Sequence, residues 1–147
     1  MEETDVRLRN ATYRRFIELG RPPTASEIGR TVGLDAQAVI AGWHRLHDAH
    51  ALVLNRATDE LRMLNPFSMV PSAFKVFASG RAWFGNCAWD AFGIGAALHV
   101  DSQIETSCPD CGDALHIEVR DRKPDRADLL FHCLLPARNW WDDVVFT

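Results

Sequence analysis

The chain has 147 residues, 47% hydrophobic and 24% charged, which suits one globular domain or two small ones and excludes a largely disordered or fibrous protein. Sixteen basic against 20 acidic side chains give a formal charge of −4, which argues against nucleic-acid binding by bulk charge. The apolar, nearly uncharged stretch Ala91 to Val100 is about half of the roughly 20 residues a membrane helix needs. The acidic start (Glu2, Glu3, Asp5) is the opposite of a basic export signal, so the expectation is a cytoplasmic chain with no membrane partner.

Residues 4–19 read as a helix with Val6, Tyr13, Phe16 and Ile17 roughly on one face, stopped by Gly20. Arg21-Pro22-Pro23 breaks the chain. Thr24-Ala25-Ser26-Glu27 is then a capping box, in which the threonine and glutamate satisfy each other's orphan amides at the start of a short helix over 25–32. Asp35 caps a third helix with Val39, Trp43 and Leu46 at i, i+4 and i+7. Residues 51–54 and 61–64 are expected as two strands joined by the polar run Asn55 to Glu60. Three helices and a hairpin are the winged-helix order, here over residues 1–64. A DNA reader would need basic or amide side chains on the third helix. That helix offers Gln37, His44, Arg45 and His47, and residues 1–62 hold nine basic and nine acidic side chains, so a scaffold role is the preferred reading. His44, His47 and His50 fall at the end of this helix and read as surface residues.

Asn65 to Pro71 is a linker, and the character then changes. Residues 73–78 and 81–84 are expected as strands about a Ser79-Gly80 turn, and residues 86–98 as a buried apolar helix. Residues 104–107 and 115–119 are strands flanking Cys108-Pro109-Asp110-Cys111-Gly112. Residues 121–128 are a charged loop, 129–135 an apolar strand, and 144–147 a last strand after the Trp140-Trp141 pair. The fold expectation is α+β, with a compact β-rich domain over residues 65–147.

All four cysteines lie in this second part and read as working or metal-holding thiols rather than disulfides. Cys87 and Asp90 stand three apart at the start of a helix, which puts a soft ligand and a proton carrier on one face. The aromatic setting of Trp83, Phe84, Trp89 and Phe92 favours a protonated Asp90. On spacing alone, a buried cysteine with a capping aspartate is the simpler reading.

The string Trp83-Phe84-Gly85-Asn86-Cys87-Ala88-Trp89-Asp90-Ala91-Phe92-Gly93-Ile94 resembles the organomercurial lyase (alkylmercury lyase, MerB) family around its first catalytic cysteine and its aspartate. The Asn65-Pro66-Phe67 junction, the cysteine-bearing strand pair and Trp140-Trp141-Asp142-Asp143-Val144-Val145-Phe146-Thr147 follow in the family's order. The resemblance implies protonolysis of carbon–mercury bonds, with no cofactor required and Hg(II) as bound product. Its partners would be an organomercurial small molecule and small thiols. Carried over by position, Cys87 is the first thiolate and mercury ligand, and Asp90 the proton donor. Trp83, Trp89, Phe92, Trp140 and Trp141 would line the substrate pocket. The family's second catalytic cysteine follows the segment that residues 140–147 resemble, and the sequence given ends at Thr147. A truncated or degenerate member is therefore expected, with mercurial binding and weak or no turnover. Cys133 lies upstream of the missing position and reads as a strand residue.

Cys108 and Cys111 form half of a zinc-ribbon site, which would need two more ligands from among His116, His132 and Cys133. Zinc, a relay of Hg(II) and a redox pair are the functional readings, while a structural turn set by Pro109 and Gly112 is preferred. Two other functions stand beside the lyase: a non-catalytic thiol-based mercury or metal binder, and a winged-helix metal-responsive regulator.

Overall fold

The computed structural model describes residues 2–55, 57–133 and 135–144. The chain divides into two compact units, Met1–Asn65 and Pro66–Thr147. No helix among the described residues is long and apolar enough to cross a membrane.

The first unit contains α1 (Glu3–Leu19), α2 (Ala25–Val32), α3 (Ala36–Asp48) and the strands β1 (Val53–Leu54) and β2 (Leu61–Leu64), paired antiparallel. Its caps are those the sequence announces. The Thr24 hydroxyl accepts from the Glu27 amide at 3.2 Å while the Glu27 carboxylate accepts from the Thr24 amide at 2.8 Å, and Asp35 accepts from the Ala38 amide at 2.8 Å. Ile28, Val39 and Leu46 have no exposed surface, a burial that stabilises by about 1.5–3 kcal/mol for each such side chain. The buried stripe of α1 differs from the expected one: it runs Asp5, Leu8, Thr12 and Phe16, with Val6, Tyr13 and Ile17 only half-buried. Two of its members are polar, which hides the stripe from a hydrophobic pattern. Each has a partner on α3. Asp5 accepts from Arg45 at 2.7 Å, and Thr12 accepts from the Trp43 indole at 3.0 Å.

The second unit is an antiparallel sheet in the order β3-β5-β4-β6-β7-β8, formed by β3 (Phe67–Ser68), β4 (Phe74–Ala78), β5 (Arg81–Gly85), β6 (Ser102–Ser107), β7 (Ala114–Arg120) and β8 (Lys123–Pro124). Ser79 and Gly80, both at positive φ (53° and 71°), make the tight β4–β5 hairpin. The helix α4 (Ala88–Leu98) follows β5, packs on β4, β5 and β6, and returns the chain to the start of β6. Val76, Ile94 and Ile104 are the centre of this core.

Several expectations change, beginning with β3 and β8, short strands inside the stretches expected as a linker (65–71) and a charged loop (121–128). Only one face of α4 is buried (Ala91, Ile94, Gly95), while Trp89 is 62% and Phe92 37% exposed. The small residues on the inner face bring the helix backbone close to the sheet and leave its large aromatics outside. The apolar run 129–135 is not a strand among its described residues; Leu130 is 97% exposed and Phe131 and Leu135 are also exposed. A short apolar run specifies a strand only where a neighbouring edge receives it, and β7 is already paired with β8. Val144 lies in a turn, and the remainder of the strand expected over 144–147 is outside the described residues.

Candidate functional site

The site is assembled where β5 hands over to α4. Gly85, the last residue of β5, sits so close to the helix that a methyl group there would lie 2.7 Å from the Ala91 nitrogen. Its carbonyl accepts from the Ser72 hydroxyl, and that hydroxyl also accepts from the Phe74 amide at 3.0 Å. The chain therefore leaves the sheet in a fixed direction. Cys87 follows as the N-cap of α4 in extended conformation, with no side-chain capping bond. Asp90 occupies the first turn, and its Oδ2 accepts from the Asn86 amide at 3.2 Å.

The two side chains meet: the Cys87 thiol faces Asp90 Oδ2 at 3.7 Å, and both residues are half-buried. Burial pushes the Asp90 carboxyl above its ordinary value, opposed by the Asn86 and Cys87 amides that favour the carboxylate. Burial also raises the Cys87 thiol, with the Asp90 and Trp89 amides opposing and the Asp90 charge adding to the shift. The arrangement is a thiol beside a carboxyl that resists ionisation. It can take a soft electrophile on sulfur and deliver a proton beside it.

Part of the C-terminal segment comes to the same place. The Asn86 amide group donates to the Val144 carbonyl at 2.9 Å, and Trp89 packs edge-on against Trp140 with ring centroids 6.0 Å apart. The Trp140 indole donates to the Leu135 carbonyl at 3.0 Å, and Trp141 is half-buried. Asn86 and Ser72 are the residues that sequence reasoning passed over as site residues. Asn86 joins the cysteine to the C-terminal segment, and Ser72 fixes the strand end. The signal for Ser72 was a serine just after a proline and before a strand, the pattern of a side-chain turn.

Other expected site residues lie elsewhere. Trp83 is 4% exposed in the sheet core, its indole donating to the Ala78 carbonyl at 3.0 Å and its ring edge-on to Phe67. Phe92 lines a separate recess of about 330 Å³ with Gly95, His99, Val100, Val119 and Pro124, to which neither Cys87 nor Asp90 contributes. Cys133 is exposed, and its thiol donates to the Leu135 carbonyl at 3.1 Å.

Cys108 and Cys111 sit in the turn between β6 and β7. That turn is closed by the Cys108 amide donating to the Asp113 carbonyl at 2.8 Å and by Gly112 at φ +80°. The Cys111 and Asp110 amides and the Cys111 thiol lower the Cys108 thiol. Among the described residues no group of three or more His, Cys, Asp or Glu side chains could hold a metal ion. The four-ligand zinc site considered for the knuckle is thus not supported, and Cys133 does not join Cys87 and Asp90.

Comparison with known proteins gives a consistent result. The family model described as alkylmercury lyase (MerB) matches residues 67–147. The crystal structure of the mercury-bound form of MerB2 is similar in fold, with a TM-score of 0.66 and 22% identity over 84% of this chain and 59% of that one. The chain thus spans about three fifths of that protein's length. No curated protein matches the sequence.

Proposed function

The chain belongs to the alkylmercury lyase family, and from that premise we propose that it binds organomercurials at Cys87 and cleaves their carbon–mercury bond with a proton from Asp90. One observation carries the reading: the thiol lies 3.7 Å from a carboxyl that burial keeps above its ordinary pKa. Mercury is very soft, so sulfur takes it in preference to oxygen or nitrogen donors. The Cys87 sulfur displaces the mercurial's other ligand, a small thiolate, which leaves as the thiol with the Cys87 proton. A second thiolate, from a small thiol or a further cysteine, pushes electron density towards carbon. The Asp90 proton then goes to the carbon, whose bonding pair leaves mercury to form the new C–H bond. Hydrocarbon departs, and Hg(II) stays on sulfur with the Asp90 carboxylate beside it. Trp89 and Trp140 supply the apolar wall that a hydrocarbon group meets. No resident cofactor enters this chemistry. Residues 1–64 serve as a winged-helix-like scaffold; Arg45, the basic side chain a DNA-reading third helix would use, is held by Asp5 instead.

The test uses phenylmercury with excess small thiol. Cys87→Ser should abolish both stoichiometric binding and benzene release, since an alcohol is a poor soft-metal ligand. Asp90→Asn should retain binding and lose release by 100-fold or more, on the order of what a positioned proton donor contributes. Equal binding and release by both variants and the unsubstituted chain would place the site elsewhere. Binding without benzene, with excess thiol present, would identify a mercurial binder that does not turn over.

A further inference from the structure

The register of the sheet places the Cys108-Pro109-Asp110-Cys111 turn with respect to Cys87. Gly85 of β5 pairs with Phe74 of β4, and the adjacent Lys75 pairs with Glu105 of β6. β5 and β6 therefore run in the same direction on either side of β4 and end at the same end of the sheet. Cys87 follows one strand end by two residues, and Cys108 directly follows the other. Two strand spacings separate those ends, roughly 10 Å.

The knuckle has the form of a two-thiol chelate. Gly112 at φ +80° and the Gly112 amide donating to the Cys108 carbonyl at 2.9 Å curl the backbone back on itself. That curl holds Cys108 and Cys111 three residues apart across one tight turn. Cys111 is exposed, so an ion can reach the pair from solvent. No third or fourth donor joins them among the described residues. A tetrahedral, four-ligand ion is therefore poorly served. A soft ion satisfied by two thiolates is well served.

We propose that Cys108 and Cys111 form a second soft-metal site that binds Hg(II) as a two-coordinate bis-thiolate, Hg(II) replacing two thiol protons. The pair serves as the first protein ligand set for Hg(II) leaving Cys87. This last clause rests on the proposed lyase reading; the binding site itself does not.

The experiment uses the full chain with Cys87→Ser and Cys133→Ser, loaded with mercuric chloride in excess cysteine and freed of small molecules. One equivalent of Hg(II) should be retained, with near-ultraviolet thiolate-to-mercury absorption, and the peptide carrying Cys108 and Cys111 should be protected from iodoacetamide. Adding Cys108→Ser or Cys111→Ser should remove both signals while the melting temperature stays within a few degrees. Zinc chloride under the same conditions should leave no bound metal. The proposal is overturned if retention is no greater than in the Cys108→Ser chain, if alkylation of the two cysteines is as fast with Hg(II) as without, or if zinc is retained at one equivalent. Loading uses inorganic Hg(II), so it succeeds or fails regardless of whether the unsubstituted chain releases benzene. In that chain, single-turnover phenylmercury cleavage should transfer protection from Cys87 to the Cys108–Cys111 peptide. Benzene release without this transfer would overturn the handover alone.

Discussion

Asp90 holds two conflicting positions. It is the acidic residue in the first turn of α4 and accepts from backbone amides, both of which favour its charged form, yet burial outweighs them and raises its pKa above 3.8. The folded chain then holds the Asp90 proton at pH values where the unfolded chain has lost it. Stability must therefore fall as pH rises from the ordinary carboxylate value through the raised one. Asp90→Asn removes this dependence. The melting temperature of the variant relative to the unsubstituted chain should rise between acid and neutral pH, and level off once Asp90 is ionised. An Asp90 governed by its amide contacts would give the opposite slope. If Asp90 is the proton donor proposed above, single-turnover hydrocarbon release should decline over the same pH interval as that proton is lost, whereas mercurial loading should not.

At the scale of elements, the site depends on how closely α4 approaches β5. Gly85→Ala would put a methyl 2.7 Å from the Ala91 nitrogen and 3.1 Å from its Cα, both backbone atoms that no rotamer change can move. The helix must shift outward. A cost of about 1–3 kcal/mol is expected for such overpacking, together with a larger loss in benzene release than in mercurial binding, because the thiol–carboxyl distance changes while the thiol remains. Chemical denaturation and single-turnover assays measure the two effects. This dependence was invisible in the sequence, where Gly85 was merely part of a motif string. The capping box at Thr24, the Asp35 cap and the strand pair about Cys108 to Gly112 were legible because each rests on local chemistry. Which side of an element faces inward was less so. Trp83 and Trp89 look alike as members of one aromatic string, but strand parity buries the first and the small-residue face of α4 turns the second outward. The run 129–135 misled because hydrophobicity alone does not supply a strand with a partner.

For the molecule as a whole, the division at Asn65 can be tested through the internal polar ties of the first unit. Asp5–Arg45 and Thr12–Trp43 join α1 to α3, and the Tyr13 hydroxyl donates to the Ala51 and Asn65 carbonyls at 3.2 Å each. The buried apolar side chains of this unit include Leu8, Phe16, Ile28, Val39, Trp43, Leu46 and Leu52. Domains of roughly 55–65 residues are near the lower limit for folding alone, and many do so. Residues 1–65 expressed separately should therefore fold into a helical unit that unfolds cooperatively in urea, with an m-value of about 1 kcal/mol/M. Trp43 is the single tryptophan of this stretch and is 2% exposed, so it reports the transition directly. Its emission should be blue-shifted without urea and move to longer wavelength in one step, coincident with loss of helical circular dichroism. Emission already at the solvent-exposed position, or a gradual drift with no baseline, would mean that the three helices need the rest of the chain to hold their fold. Thr12→Val offers a further check, because it leaves the buried Trp43 N–H without its acceptor. The same single-step transition should then shift to lower urea by an amount corresponding to about 1–3 kcal/mol.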